Sequence, residues 1–186
     1  MSKAWEEIRS LLTKDYPCTP ALKSLNSGQL IVHETKTEMS KIPPISEYLH
    51  ELRERYYKSK EKYLSLWITF DDAPISEEEF EKNLFSVLEP HRRGDEYFHG
   101  SSRLFVVGMH PSASRKARRF PLNSMVVNLW EQFETLKNYQ SLVNTIRDRD
   151  IEYSGSVNPM AAKHGDNFEE IQFSGRDNPD DWKIPE

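Results

Sequence analysis

RLFVVGMHPSASRKARRF, residues 103–120, changes character half-way along. Leu104, Phe105, Val106 and Val107 form an unbroken apolar run of strand-favouring residues, and Gly108, Met109, His110 and Pro111 close it. The run predicts a buried core strand. Pro111 biases His110 away from the α region, which places an imidazole at the end of that strand. Ser112 and Ser114 follow, and then Arg115, Lys116, Arg118 and Arg119 put four positive charges into five residues. A core strand, a terminal histidine and a cation cluster together make a candidate ligand site. The same residues also read as a strand followed by a solvated basic turn.

Working outward, Tyr97 to His99 and the turn Gly100-Ser101-Ser102 pair with the core strand as a β-hairpin. Met125 to Leu129 predicts another strand. It runs into a helix over residues 130–150, with Phe133, Leu136, Leu142, Val143 and Ile146 facing inward. Upstream, Ser76 and Glu79 have capping-box spacing and open a helix to about Glu89, with Phe80, Leu84, Phe85 and Leu88 on its inner face. LSLWITF, residues 64–70, predicts a strand. Residues 45–63 predict a helix with Ser46 as N-cap, and residues 29–33 a strand. The chain starts with an amphipathic helix over 3–14, which DYPCTP at 15–20 stops, and a short helical turn follows at 21–27. Toward the C-terminus, Gly155, Gly165 and Gly175 mark loops, residues 169–173 predict a short strand, and Trp182 anchors a polar tail. Helices and strands do not alternate as regular βαβ units. The expected class is α+β: a mixed or antiparallel sheet flanked by helices, in a single domain over 1–186.

Composition narrows the function classes. The net charge is −5, from 25 basic and 30 acidic residues, so the chain has no global attraction for nucleic acid. Cys18 is the sole cysteine, which excludes an internal disulfide and a multi-cysteine metal site and fits a reducing cytosol. The N-terminus carries charges throughout and lacks the apolar core of a signal peptide, and no apolar run is long enough to span a bilayer. The expected location is cytoplasmic, with no membrane partner. G-x-S-x-G, P-loop, G-x-G-x-x-G and HExxH patterns do not occur, which removes the usual support for hydrolase, phosphoryl-transfer, dinucleotide and zinc-protease readings.

Of His33, His50, His91, His99, His110 and His164, His110 is the best placed; His91 follows Pro90 at a helix end and His50 lies mid-helix. A single histidine suffices to hold a heme iron, so isolated histidines are compatible with heme without predicting it. Arg115, Arg118 and Arg119 can bind a carboxylate, a heme propionate or a phosphate through bidentate bonds, or stay solvated. Arg147, Asp148, Arg149 and Asp150 read as local ion pairs on a surface. Cys18 reads as a small buried residue, with a thiolate ligand as the alternative.

Four blocks, taken in order, resemble the YqcI/YcgG family. They are YPCTPALKSLNSGQL, LFVVGMHPSASRKARRF, VVNLWEQFETLKNYQSLVNTIRDRD and GSVNPMAAKHGDNFEEIQFSGR, and the likeness is strongest over 98–182. Asn128, Gln132, Arg147, Arg149, Gln172 and Gly175 are among the matching positions. The resemblance implies a heme-dependent oxygenase that hydroxylates a nitrogen of a small amine or guanidino substrate. It brings with it heme b, O₂ and an external electron donor, either a redox partner or a reductant. His110 is then the first choice of iron ligand, with His91 and His50 behind it. Arg115, Arg118 and Arg119 would hold propionates or a substrate carboxylate. Glu134, Asp150 or Glu169 would bind a guanidinium, and Asn158 and Arg176 would complete the substrate contacts. Ala113 replaces the family's usual Ser and Trp130 its frequent His, which bears on the pocket more than on the fold. The alternatives are a non-catalytic heme- or small-molecule-binding protein and a metal-free anion-binding domain. The oligomeric state is open, a homodimer included.

Overall fold

In chain order the elements are α1 (Lys3–Leu11), α2 (Thr19–Asn26), β1 (Leu30–Glu34), α3 (Ser46–Ser59), β2 (Ser65–Thr69), α4 (Glu77–Leu88), β3 (Arg92–Arg93), β4 (Glu96–His99), β5 (Ser102–Met109), β6 (Ser124–Leu129), α5 (Trp130–Glu134) and α6 (Tyr139–Ser154). Single 3-10 turns add Met39–Lys41, Glu89–His91, Lys116–Arg118 and Glu169–Gln172. This computed structural model describes residues 2–159 and 169–185. Gly165 and His164 lie outside the described residues.

The strands form one six-stranded sheet in the order β1-β2-β6-β5-β4-β3. β1 and β2 run parallel, joined through α3, and every other neighbouring pair is antiparallel. The sheet is therefore mixed and the class α+β. The hairpin between β4 and β5 turns at Gly100, where φ is +61° and glycine carries no steric penalty.

Strand alternation divides the core in two. On one face Leu66, Ile68, Leu104, Val106, Met125 and Val127 pack with Leu49 and Leu52 of α3 and Phe80, Leu84 and Phe85 of α4. On the other face Trp67 and Met109 meet Ile8 of α1 and Phe120, with Leu25, Val107 and Val126 partly buried around them. The two faces are unequally filled. Along β5, burial alternates strictly from Ser102 to Gly108: Leu104 and Val106 are buried, while Phe105 and Val107 are only half-buried.

Beyond Arg103 the outer edge of β5 has no strand beside it, because β4 pairs only with Ser102 and Arg103. An open edge is costly unless covered. The C-terminal segment covers it: the Gly108 amide donates to the Phe173 carbonyl at 2.7 Å. A Cβ on Gly108 would stand 2.6 Å from the Phe80 ring and 2.9 Å from the Phe173 carbonyl, so only glycine permits this approach. Glu81, buried on α4, holds the tail. It accepts from Ser174 Oγ (2.6 Å), Asn178 Nδ2 (2.7 Å) and Trp182 Nε1 (3.2 Å). Trp182 is thus the anchor that the tail sequence suggests, with its ring 5.4 Å from Phe85.

Three local expectations are corrected. The helix over 130–150 is two helices, α5 and α6, broken before Asn138, which takes a left-handed φ of 61°; asparagine tolerates that conformation better than most side chains. Residues 169–173 contribute a 3-10 turn rather than a strand. Ser46 is the first residue of α3, and Ile45 holds the cap position without a side-chain bond. The helical turn expected at 21–27 is α2, which starts at Thr19, so Pro20 both follows the end of α1 and sits in the first turn of α2, where its missing N–H costs nothing. Ser76 does cap α4, accepting from the Glu79 amide at 3.2 Å. Among the described residues, no helix is long and apolar enough to cross a membrane.

Candidate functional site

The underfilled face contains a cavity of about 250 Å³. Its floor is the sheet. Ser65 and Trp67 of β2, Val126 and Asn128 of β6, and Phe105 and Val107 of β5 all point the same way because they share strand parity. Its roof is α6, through Leu142, Val143, Ile146, Arg147 and Asp150. Tyr16, Cys18, Ala21 and Ser24 close the side formed by the α1–α2 connection and α2. The apolar residues of α6 that sequence periodicity aimed at the core face this space, which is why they are only half-buried.

Polar groups around the cavity fall into satisfied and open ones. Arg115 donates to Asp150 (2.7 Å) and to the Ser156 carbonyl (2.9 Å), fastening the loop after β5 to the end of α6. Ser154 Oγ donates to the other Asp150 oxygen at 2.7 Å. Buried Arg118 donates to the carbonyls of Gly108 (3.0 Å), Gln172 (3.2 Å) and Phe173 (3.4 Å). Desolvation lowers its pKa from the ordinary value. The Tyr16 hydroxyl donates to the Ala117 carbonyl at 2.9 Å. Four groups are open. Trp67 Nε1 and Ser24 Oγ are buried without a hydrogen-bond partner. The oxygen of Asn128 accepts from Ser65 at 2.7 Å, which turns its amide nitrogen to the cavity as a donor. Arg147 has no hydrogen-bond or ion-pair partner among the described residues.

The sequence candidates separate accordingly. Arg115, Arg118, Asp150 and Asn158 line the cavity. His110 does not. It shares parity with Leu104, Val106 and Gly108, so its ring projects to the α4 face and stacks on Phe80 at 4.1 Å. It is 1% exposed, its Nδ1 has no partner, and burial lowers its pKa to about 4. The arrangement makes His110 a neutral core residue on the far side of the sheet from the cavity. Arg119 donates to Ala113 and Ser114 carbonyls in its own loop. Glu134 is exposed and outside the wall, and Arg176 pairs with Glu78 and Glu81 on the α4 side. Glu169 is buried beside the cavity, where the Gln172 amide donates to it. His50 and His91, the other iron-ligand candidates, meet His99 instead, at ring distances of 6.3 and 5.5 Å. Burial lowers the pKa of His91 and His99 alike. Among the described residues, no group of three His, Cys, Asp or Glu is arranged to hold a metal.

A family model matches residues 89–186, more than half of the chain. The chain belongs to the YqcI/YcgG family. No curated protein and no solved structure matches it. The YqcI/YcgG match spans β5, β6 and α6, and with them the cavity floor under β5 and β6 and its roof. The part supplied by α1, α2 and β2 lies upstream of it.

Heme b requires apolar walls, cations for its propionates and one strong axial donor. The YqcI/YcgG cavity offers the first two. None of the described histidines lines it. Cys18, Tyr16 and Tyr139 do; burial pushes the thiol and both phenols up, and the Tyr16 hydroxyl is given to the Ala117 carbonyl. The described residues therefore do not fit a histidine-ligated heme. Sequence reasoning missed Trp67 and Ser24. The parity of LSLWITF carries a signal for Trp67, since Leu66 and Ile68 must share the face opposite to Ser65 and Trp67.

Proposed function

We propose that this chain is an oxygenase that hydroxylates a nitrogen of a small amine or guanidino compound enclosed in the cavity. The family resemblance brings heme b, O₂ and an external electron donor to this reading. One observation supports it most: residues that carry the resemblance, namely Arg115, Arg118, Asn128, Arg147, Asp150, Asn158 and Gln172, converge on a single cavity although they are far apart in sequence. Such a largely apolar chamber with a few oriented polar groups is the usual form of a small-molecule site.

The chain's own residues supply binding and orientation. Val107, Val126, Val143 and Ile146 exclude water from the substrate body. Asn128, its rotamer fixed by Ser65, offers an oriented donor. Asp150 is the one carboxylate in the described wall, and a cationic nitrogen must share it with Arg115 and Ser154.

A second reading, a non-catalytic small-molecule-binding protein, is favoured by the lack of an imidazole on the described cavity wall. Mass-spectrometric screening of amine and guanidino compounds, with hemin-reconstituted protein, O₂ and a reductant, separates the two. The oxygenase reading expects a Soret band and a product heavier by one oxygen. Colourless protein after reconstitution overturns it. Colour without product favours the binder.

A further inference from the structure

We propose that the cavity is a carboxylate chamber: its occupant has an apolar body and a carboxylate, and Arg147 is the cation that holds it. This rests on reading the cavity as the ligand chamber, and not on the oxygen chemistry. Val143, Ile146, Arg147 and Asp150 stand at i, i+3, i+4 and i+7 on α6 and so share one helix face. That face is apolar at Val143 and Ile146 and becomes charged about 6 Å further along the axis, at the rise of an α-helix.

At the charged end the described wall carries three arginines against one aspartate. Arg115 and Asp150 neutralise each other at 2.7 Å. The Arg118 guanidinium is committed to three backbone carbonyls. Arg147 alone of the three has no partner among the described residues, and a guanidinium matches a carboxylate with two parallel bonds. The floor has the same bias. The open end of Asn128 is its NH₂, because its oxygen accepts from Ser65. Both oxygens of Asp150 are already engaged. Donors are in excess, so the complementary ligand brings acceptors and negative charge.

The carboxylate has two sources, a free small molecule or a heme propionate. Equilibrium binding to the full chain by titration calorimetry distinguishes them. The probes are 4-phenylbutyrate against 4-phenylbutanol, and hemin against hemin dimethyl ester, each with wild type, Arg147→Gln and Arg147→Lys. At least one acid should bind about tenfold tighter than its uncharged partner, as one charge-assisted contact implies. The preference should vanish in Arg147→Gln and return in part in Arg147→Lys. Preference for phenylbutyrate identifies a free carboxylate, and preference confined to hemin identifies a propionate. Equal binding within both pairs, or a preference that survives Arg147→Gln, overturns the carboxylate site and leaves the chamber standing. Binding of none of the four probes overturns both. Thermal melts of the two variants check that each is folded.

Discussion

His110 shows how far one residue's local signals reach. Its place at the end of the core strand was legible, because Pro111 and the apolar run before it fix the backbone. Which face it takes depends on register. That register turns it onto Phe80 and removes it from water, and burial brings its pKa from 6.5 to about 4. Between those values the unfolded chain binds the proton and the native chain does not. The associated stability is full above pH 6.5 and is lost as pH falls toward 4, in all about 3 kcal/mol. Urea unfolding should therefore show stability declining from pH 7 to pH 5, with a shallower decline in His110→Phe. His91 and His99 add dependence of the same sign, so the difference between wild type and variant is the quantity to read. Equal slopes would mean that His110 is not held neutral. The run from Arg147 to Asp150 makes the same point. It looked like surface ion pairs, yet Asp150 fastens Arg115, Arg149 donates to the Lys14 and Tyr16 carbonyls, and Arg147 faces the cavity.

Among the elements, β5, β6, α4 and the hairpin follow from periodicity and capping signals, because each is long enough to show its pattern. The 3-10 turn at Glu169–Gln172 does not, since its conformation is set by partners on other elements. Its neighbour Phe173 bonds Gly108 and packs near Phe85 at a 6.3 Å ring distance. Two substitutions test this junction. Gly108→Ala places a methyl group 2.6 Å from Phe80 and should lower unfolding free energy by about 1–3 kcal/mol, read from urea midpoints. Glu81→Ala removes the acceptor shared by Ser174, Asn178 and Trp182 of the tail and should cost roughly 3 kcal/mol. It should also make the chain cleavable near residues 174–182 under limited proteolysis that spares wild type. Tail protection equal to wild type would show that Trp182 packing alone holds the segment.

At the scale of the whole molecule, one sheet face is filled and the other is left with a chamber. Filling that chamber should separate binding from folding. Val143→Phe adds apolar volume to space that is lined mainly by apolar residues, so its melting temperature should equal or exceed that of wild type. Affinity for whichever acid probe binds should fall more than about tenfold, the equivalent of 1.4 kcal/mol. A variant that keeps full affinity would place the ligand elsewhere. The amino-acid sequence by itself determined the types of the longer elements, the class of fold, the family likeness and the residues that carry it, because these depend on local spacing and side-chain chemistry. Only the tertiary structure decided which of those residues meet. The pairing of β5 with β6 and the docking of α6 bring positions from residue 12 to residue 172 around one space, and strand parity sends His110 to the opposite side of the sheet.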